Sequence, residues 1–471
     1  MTEITELQIE EQRAIMARVR GGHTRDVYAR VMTFGCQQNE ADSERLRGML
    51  LEMGYAMTGA SEDADVIIIN TCAVREHAED RVFGVIGALV HQKRARPDMV
   101  IAVCGCMAQQ EKVAERIRGS YKHVDLVFGT HALWRLPELL SDVLNARGSK
   151  SDYRVFSIDD EAGSIAEGLP QARDGQWSGI KAWLSVMYGC NNFCAYCIVP
   201  HVRGRERSRR VEAVLSDARE LVRDGYRDIT LLGQNVNSYG RGTDDGVDFP
   251  ELLRRINDID GEFLIRFMTS HPKDAGERLF RAMAESGKVA RHLHLPFQAG
   301  NNRVLQQMNR GYTRERYLEL VAMARDFMPD LVLTSDVIVG FPGETLEEFE
   351  DTLRLVETAR FDAMFTFIYS PRNGTPAAKM EDNTPREEKQ RRFDRLLALQ
   401  NGISEEKHRS YVGKTVRVLV DAESGDAALP YNARTSGNRL VRLSGSAVPG
   451  EFVDALITAG NTWSLVGVVI A

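Results

Sequence analysis

The sequence predicts an α/β protein with three domains: an N-terminal parallel sheet covered by helices, a central partial barrel, and a small C-terminal β-barrel. The length of 471 residues corresponds to about three domains at roughly 100–200 residues each. Through most of the chain, apolar strand-like runs alternate with amphipathic helical stretches, which is the pattern of parallel sheets. After Gly413 the pattern changes to short β-like runs separated by turn glycines, which is typical of a small barrel.

The composition restricts the class of protein. Hydrophobic residues make up 43% and charged residues 27% of the chain, which indicates folded cores. The net charge of −7 argues against a basic nucleic-acid wrapper, so any contact with RNA or DNA must come from a local patch. We find neither a run of about 18 apolar residues nor an export signal, and we expect a cytoplasmic protein without a membrane span. Seven cysteines in such a protein indicate metal, redox or catalytic use.

The first domain is predicted over residues 26–147, after a polar extension of residues 1–25 that we expect to be a frayed helix. Four strand–helix units in this domain predict a parallel sheet covered on both faces. The predicted strands are Val27–Phe34, Asp65–Asn70, Met99–Val103 and Val124–Phe128, and the predicted helices are Asn39–Met53, Arg75–Lys93, Met107–Arg118 and His131–Arg147.

The second domain is predicted over residues 179–408, after residues 148–178, which we interpret as a linker or an exposed edge segment. Six strands separated by helices predict a TIM-like but incomplete barrel, followed by a charged helix over Pro385–Arg409. The strands are Ala182–Tyr188, Asp228–Leu232, Phe263–Thr269, His292–Leu295, Leu331–Val339 and Ala363–Ile368. The third domain, residues 409–471, contains β-like runs at Thr415–Val420, Arg439–Leu443, Val453–Thr458 and Ser464–Val469.

A cysteine triplet follows the first strand of the predicted barrel. Cys190, Cys194 and Cys197 have C-x3-C-x2-C spacing, and three thiolates on one loop can bind three irons of a [4Fe–4S] cluster and leave the fourth iron open. A structural zinc is one alternative, but it needs four ligands, and the nearest candidate, His201, follows a proline. A chance group of buried free cysteines is the other alternative. The spacing favours the open cluster.

The triplet and the six strand–helix units together resemble the radical S-adenosylmethionine (SAM) superfamily. This resemblance implies that SAM binds the open iron and that loops at the carboxyl ends of the barrel strands complete the site. The segment Gly340–Glu344 is also a candidate, although the capping-box spacing of Thr345 and Glu348 can equally mark a helix start. The residues that we expect to contact SAM are Gly233, Gln234, Asn235, Ser270 and Gln298.

Three further cysteines are scattered through the first domain. Cys36, Cys72 and Cys106 each follow the end of a predicted strand, and the carboxyl ends of parallel strands share one edge of the sheet. They could therefore converge on a second metal site. Cys104 suits core packing better, but strand alternation places it on the same face as Cys106, so spacing alone does not choose between them. The alternative is that all four are small buried hydrophobic residues.

A wider set of motifs resembles the methylthiotransferase family. It comprises TFGCQQNEADSE, NTCAVREHAEDRVFG, GCMAQ, GCNNFCAYCIVPHVRGRERSR, HLPFQAGNNRVLQQMNRGYT, SDVIVGFPGET and YSPRNGTPAA, and it covers nearly all of the chain after residue 25. The resemblance implies that Cys36, Cys72 and Cys106 bind an auxiliary [4Fe–4S] cluster and that Cys190, Cys194 and Cys197 bind the SAM cluster.

The resemblance is greatest to the branch that methylthiolates isopentenyladenosine beside the tRNA anticodon, using two [4Fe–4S] clusters and SAM. It implies a tRNA substrate, an electron donor such as a flavodoxin or ferredoxin, and a sulfur source. We expect a monomeric enzyme. Sister enzymes that act on threonylcarbamoyladenosine in tRNA or on a ribosomal-protein aspartate are the alternative. A third hypothesis is a non-catalytic iron–sulfur redox sensor that binds RNA.

RNA contacts are predicted in two segments. Arg203, Arg205 and Arg207 lie in an arginine-rich run directly after the cysteine triplet, and arginine side chains suit phosphates; the alternative is a solvated or internally paired face. The C-terminal domain resembles a TRAM domain, in which Arg434 and Arg439 are the candidate contacts. Tyr431 could stack on a base or be a half-buried barrel residue.

Overall fold

A computed structural model describes residues 4–73, 76–146, 153–158, 165–173, 179–243 and 245–470. The described chain forms two compact units, one made of residues 1–174, 188–191 and 198–207 and the other of the remaining residues. The predicted helix start at Arg75 and parts of the predicted linker over residues 148–178 lie outside the described residues. Among the residues described, the longest helices are too short or too polar to cross a membrane.

The first unit is built around a six-stranded parallel sheet. The strand order is β2-β1-β3-β4-β5-β6, so the four predicted strands are confirmed and two short strands are added, one of which (β6) lies in the predicted edge segment. The strands are β1 (Tyr28–Thr33), β2 (Ala56–Met57), β3 (Val66–Thr71), β4 (Val100–Gly105), β5 (Leu126–Phe128) and β6 (Val155–Ser157); the helices are α1 (Glu6–Gly21), α2 (Gln37–Glu52), α3 (Glu76–Ala95), α4 (Glu111–Ser120) and α5 (Leu136–Ala146).

The uninterrupted apolar run in β3 is explained by helices on both faces of the sheet. Val66 and Ile68 pack with residues of α2 and α5, whereas Ile67 and Ile69 pack with residues of α3 and α4. Because neighbouring strand residues point to opposite faces, both sets of side chains must be apolar. The expectation that the N-terminal helix frays is wrong, because Thr5 and Gln8 form a capping box and Met16 is fully buried.

The second unit contains six parallel strands that are neighbours in chain order. Three form the sheet β11-β10-β7 and three the sheet β12-β13-β14, and a bridge between Ile265 and Val289 joins the two halves. Among the described residues, no strand pairs β7 with β14, so the predicted incomplete barrel is confirmed. The six strands are β7 (Lys181–Ser185), β10 (Asp228–Leu232), β11 (Leu264–Phe267), β12 (His292–His294), β13 (Val332–Val339) and β14 (Ala363–Ile368). Two short strands, β8 (Met187–Tyr188) and β9 (Arg207–Ser208), form a separate two-stranded sheet.

Helices cover the outside of this partial barrel. They are α7 (Val211–Arg223), α8 (Phe249–Asn257), α9 (Glu277–Glu285), α11 (Arg314–Phe327), α12 (Leu346–Ala359) and α13 (Arg386–Arg409). The short helix α10 (Asn302–Gln307) also belongs to the second unit, whereas α6 (Val199–Arg203) belongs to the first. The charged helix α13 packs through Leu396 and Ile403 into the same core as the barrel strands.

The C-terminal residues form the predicted small barrel, which is closed in the order β15-β16-β17-β19-β18. Its strands are β15 (Thr415–Glu423), β16 (Tyr431–Thr435), β17 (Leu440–Ser444), β18 (Phe452–Gly460) and β19 (Leu465–Val469). The β16–β17 turn contacts the partial barrel, because Arg266 of β11 donates to the carbonyl of Ser436 at 2.6 Å while pairing with Asp228 at 2.9 Å.

Candidate metal centres

Three cysteines of the first unit lie at the carboxyl ends of three adjacent strands. Cys36 follows β1 and is the N-cap residue of α2, Cys72 follows β3, and Cys106 follows β4. A hydrogen bond from Cys72, together with the charge of Arg203, lowers the pKa of Cys36 to about 6. Burial raises the pKa of Cys106 to about 11, although Arg203 opposes this and the charge of Cys36 adds to it. The sheet edge thus brings the three thiols close enough to interact.

Two glycines allow the cysteine loops to approach one another. Gly35 has φ +148°, and a Cβ atom there would lie 2.6 Å from the Cβ of Cys72. Gly105 has φ +94°, and a Cβ atom there would lie 2.4 Å from Oδ1 of Asn70. Because side chains would clash at both positions, glycine is required before Cys36 and before Cys106.

Gly105 also separates the roles of the two neighbouring cysteines. Cys104 is fully buried and packs in the core beneath the sheet, as predicted. Cys106 instead packs with Ala73 and Ile198. Strand alternation does not extend from Cys104 to Cys106, because β4 ends at Gly105 and the following residues form turns. For the same reason, the helix predicted from Met107 begins only at Glu111.

A buried polar network supports the three cysteines. The Asn39 side chain donates to the Thr71 carbonyl at 2.8 Å and accepts from the Cys36 thiol at 3.4 Å. Arg203 donates through Nε to the Cys106 sulfur at 3.1 Å and pairs with Asp42 at 2.8 Å. The network joins all three strand ends through hydrogen bonds and holds their loops together.

The second set of cysteines shares the loop between β8 and α6. Cys190 and Cys194 are buried and Cys197 is partly buried. The backbone N–H of Cys197 donates to the Cys194 carbonyl at 2.9 Å, and Arg310 donates through Nη1 to the Cys194 sulfur at 3.2 Å. Phe193 has φ +46°, which bends the loop between Cys190 and Cys194.

The donor chemistry of the two cysteine sets fits iron–sulfur clusters. Each set supplies three thiols, and none of the seven cysteines, all of which lie within the described residues, forms a disulfide. A [4Fe–4S] cluster binds each cysteine through a different iron, so three thiols can hold it and leave one iron open. Within the described residues, no three His, Cys, Asp or Glu side chains form a group that could hold a single metal ion.

The residues predicted to contact SAM lie at the carboxyl ends of the barrel strands. Oε1 of Gln234, Oδ1 of Asn235 and Oγ of Ser270 are buried and have no hydrogen-bond partner among the described residues. Buried polar atoms normally have partners, so this array fits a polar ligand such as SAM. Gly233 directly follows β10, and its Cα lies against the Met187 side chain. Gln298 follows β12 and is buried.

Two of the same strand ends contain a non-glycine residue with positive φ. Thr269 follows β11 with φ +65°, and Gln298 follows β12 with φ +68°. A positive φ is unfavourable for a β-branched residue such as threonine, and such strain persists mainly where the surroundings enforce it, often at functional sites.

The structure gives the predicted RNA-contacting arginines different surroundings. Arg205 is exposed, whereas Arg207 and Arg434 are partly buried, and Arg434 donates to Asp421 at 3.2 Å. Arg203 and Arg439 are buried, and Arg439 forms an ion pair with Asp362.

The charges of Arg203 and Arg439 are enclosed and paired within the protein, so RNA contact by these two residues stays a prediction without support from their surroundings. Tyr431 packs against the core of the small barrel, which favours the interpretation as a half-buried barrel residue.

Sequence reasoning missed three contributors to these sites. Gly35 and Gly105 have a recognisable signal, because each directly precedes a cysteine at a strand end. The contact of Arg310 with Cys194 has no such signal, since the two residues are separated by 116 positions.

Comparison with known families agrees with the three structural regions. The model of the radical SAM superfamily matches residues 184–356, the model described as uncharacterized protein family UPF0004 matches residues 28–129, and the TRAM domain model matches residues 409–470.

Two solved structures show a similar fold. These are complexes of the radical SAM methyltransferase TsrM from Kitasatospora setae, with TM-scores of 0.53 and 0.55 at 14% identity. They cover 74% and 75% of this chain, and 75% and 77% of the TsrM chain. At this identity the likeness concerns the fold alone.

Two relatives match almost the full length of the chain. One, from Acetivibrio thermocellus, is 52% identical over 93% of this chain and 90% of its own length. Another, from a Thermoanaerobacter species, is 46% identical over 98% of this chain and 97% of its own length. Both are named tRNA-2-methylthio-N(6)-dimethylallyladenosine synthase. The chain therefore belongs to the tRNA-2-methylthio-N(6)-dimethylallyladenosine synthase family of radical SAM enzymes.

Proposed function

We propose that this protein is a radical SAM methylthiotransferase that modifies carbon 2 of an isopentenylated adenosine beside the tRNA anticodon. The observation that carries the proposal is the presence of two separate cysteine trios, one at the edge of each parallel-strand region. A methylthiotransferase needs one cluster for radical generation and another for sulfur transfer. The full-length similarity to synthases of this name supports the choice of substrate.

The cofactors are two [4Fe–4S] clusters and SAM. Cys36, Cys72 and Cys106 would bind the auxiliary cluster, within a domain of residues 26–147. Cys190, Cys194 and Cys197 would bind the SAM cluster, within a core of residues 179–408. Gly233, Gln234, Asn235, Ser270 and Gln298 would line the SAM site; the unpartnered polar atoms of Gln234, Asn235 and Ser270 support this assignment.

When bound, these groups supply radical and sulfur-transfer chemistry that acid–base side chains cannot supply at an unactivated ring carbon. The protein's own residues position the groups. The Asn39 and Arg203 side chains hold the loops of the auxiliary site, and Arg310 holds the Cys194 loop through the sulfur and through the Pro296 carbonyl at 2.9 Å.

The RNA partner is a tRNA that carries isopentenyladenosine. Arg205, Arg207 and Arg434 remain candidate phosphate contacts, and the TRAM domain over residues 409–470 supports a role in RNA binding. We place the enzyme in the cytoplasm as a monomer, supplied by a flavodoxin- or ferredoxin-like electron donor and by a separate sulfur source.

The test is nucleoside mass spectrometry after incubation of the anaerobically reconstituted protein with isopentenylated tRNA, reductant, sulfide and SAM. We expect about eight irons per chain and the 2-methylthio product, with tRNA that lacks the isopentenyl group as the control. Product formed only on threonylcarbamoyladenosine would identify the sister activity. Cluster assembly without any SAM cleavage would instead favour the redox sensor.

A further inference from the structure

Each cysteine trio has one buried arginine that donates a hydrogen bond to a cysteine sulfur. Arg203 is 4% exposed and its Nε lies 3.1 Å from the Cys106 sulfur. Arg310 is 5% exposed and its Nη1 lies 3.2 Å from the Cys194 sulfur. The two contacts are alike in burial and in distance.

The charge of Arg203 is neutralised by a carboxylate. Its Nη2 lies 2.8 Å from Oδ2 of Asp42, and the two side chains are only 4% and 3% exposed. A second hydrogen bond from Nη2 goes to the neutral Asn39 side chain at 3.3 Å. The auxiliary trio therefore faces a neutral ion pair.

The charge of Arg310 has only neutral oxygens and the cysteine sulfur as partners. Its guanidinium donates to the Pro296 carbonyl at 2.9 Å, the Tyr312 hydroxyl at 3.1 Å and the Tyr196 hydroxyl at 3.4 Å. It forms no ion pair with any Asp or Glu of the described residues. Because a buried charge is costly unless an opposite charge compensates it, the thiolate side of the cluster site is the natural counter-charge.

The two surroundings affect a bound cluster differently. Reducing a [4Fe–4S] cluster adds one negative charge without changing its ligands, and hydrogen bonds and charges at the cysteine sulfurs are among the factors that set its potential. A buried cation stabilises the added electron, and the low polarity of the interior strengthens the effect. A neutral ion pair has a much weaker effect, since its two charges largely cancel.

We infer that Arg310 raises the reduction potential of the SAM cluster. The Arg203–Asp42 pair has no comparable effect on the auxiliary cluster, because its two charges largely cancel. The SAM cluster is therefore reduced first. The inference rests on the cluster ligands of the proposed function. A low-potential donor transfers one electron to the SAM cluster, and the donor is thereby oxidised by one electron. The core of the SAM cluster changes from the 2+ to the 1+ state, and no bond or proton is exchanged in this step. Arg310 is thus a positioning residue that acts through Cys194.

The experiment is a redox titration of the full-length protein carrying both clusters, followed by electron paramagnetic resonance. Addition of SAM perturbs the signal of the SAM cluster and so identifies it. In the unmodified protein we expect this signal to appear at the higher potential. If the auxiliary signal appears first, the inference is overturned.

Substitutions at Arg310 test the charge directly. For Arg310→Gln, we expect the ratio of reduced to oxidised SAM cluster at a fixed potential to fall at least tenfold. A tenfold fall corresponds to a reduction potential about 59 mV lower for a one-electron couple. Arg310→Lys keeps the charge and should change the ratio less than threefold. Arg291→Gln is the matched control. The Arg291 side chain donates to neutral oxygens, the carbonyls of Met283 and Ala284, but among the described residues it contacts no cysteine sulfur, and it precedes β12 rather than following it.

Substitution of Asp42 tests the same inference at the auxiliary site. This test remains decisive even if the Arg310→Gln variant loses the SAM cluster. Asp42→Asn leaves Arg203 as an unneutralised cation, so the reduced fraction of the auxiliary cluster should rise at least tenfold. The double variant Arg203→Gln, Asp42→Asn is neutral again and should return to within threefold of the unmodified protein. An auxiliary potential that does not rise in Asp42→Asn overturns the inference.

Failure of this inference can be separated from failure of the proposed function. If the variants retain about eight irons and the unmodified protein cleaves SAM, but the potentials do not move, only the inference fails. If the unmodified protein does not assemble two cysteine-ligated clusters, the proposed function itself is contradicted.

Discussion

The two cysteine sites contain the same number of thiols, but the chain builds them in different ways. Cys190, Cys194 and Cys197 lie within eight consecutive residues of one loop. Cys36, Cys72 and Cys106 come from three loops that meet only because β1, β3 and β4 are adjacent and parallel. The first set is therefore a property of local sequence, whereas the second depends on the register of a sheet.

The two sites also differ in how tightly the backbone must be arranged. The auxiliary site needs glycines at Gly35 and Gly105, because neighbouring loops approach closer than a side chain allows. A change far from the sulfurs can therefore disturb this site by separating the strand ends, whereas the spacing of Cys190, Cys194 and Cys197 is set by one short loop.

The largest expected effect follows removal of a cysteine from either site. Cys190→Ala should abolish SAM cleavage, because the SAM cluster loses a ligand. Cys36→Ala should retain SAM cleavage but yield no methylthiolated nucleoside. Measuring 5′-deoxyadenosine and modified nucleosides together distinguishes the two sites. Cys104→Ala, in the core, should retain both activities, and cleavage of SAM by Cys190→Ala would contradict the assignment.

The next effect follows addition of a methyl group at Gly105. Gly105→Ala places a Cβ atom 2.4 Å from Oδ1 of Asn70 at a positive φ, which should lower the free energy of unfolding by about 2 kcal/mol. Separation of the strand ends should reduce iron from about eight to about four per chain, with SAM cleavage retained.

The matched control for this variant is Gly84→Ala. Gly84 lies in the interior of α3 with open space around its Cα, so the free energy of unfolding should rise by up to about 1 kcal/mol. Iron analysis and chemical denaturation measure both variants. Full iron content in Gly105→Ala would show that the close approach is dispensable for the auxiliary site.

Acid should affect the second unit through its buried histidines. Burial lowers the pKa of His292 to about 3 and that of His408 to about 4. The unfolded chain binds protons near pH 6.5, so the folded state is favoured above this value and loses stability as the pH falls towards these lower pKa values. Each such histidine should cost about 2 kcal/mol of the free energy of unfolding by pH 5.

His292→Gln tests the origin of this pH dependence. Glutamine can still donate to the Thr334 hydroxyl that His292 contacts at 2.9 Å, but it does not titrate. Denaturation at pH 5 and pH 7.5 should therefore show a smaller pH dependence than in the unmodified protein. An unchanged difference between the two pH values would assign the effect to other groups.

The smallest expected effect is on tRNA binding, which should depend on an exposed arginine and not on a buried one. Arg205→Ala should weaken tRNA binding by about 1 kcal/mol and reduce the slope of log affinity against log salt by about 1. Arg439→Ala should lower stability instead, because it removes one of the two cations that pair with the buried Asp362, the other being Lys407. Salt-dependent binding assays and denaturation compare the two variants, and a larger loss of salt dependence in Arg439→Ala would reverse their roles.

Most elements of the fold were predictable because each has a local pattern. The run Asp65–Asn70 predicts a strand buried on both faces, and β3 occupies Val66–Thr71. The exceptions lie where tertiary contacts outweigh local pattern. Helix α1 is stabilised by burial of Met16, although its sequence reads as a polar extension, and α4 starts late because the preceding residues form the turns that follow Gly105.

The order of strands and helices and the short cysteine spacing at residues 190–197 follow from the amino-acid sequence alone, because periodicity and spacing are local properties. The position of Cys106 rather than Cys104 beside Cys36 depends on the folded chain, since Gly105 ends the strand between them. The fold also places Arg203 at a cysteine site, which its position in an arginine-rich run does not indicate. Its partners Cys106 and Asp42 are 97 and 161 positions away, and such contacts depend on how the chain folds back on itself.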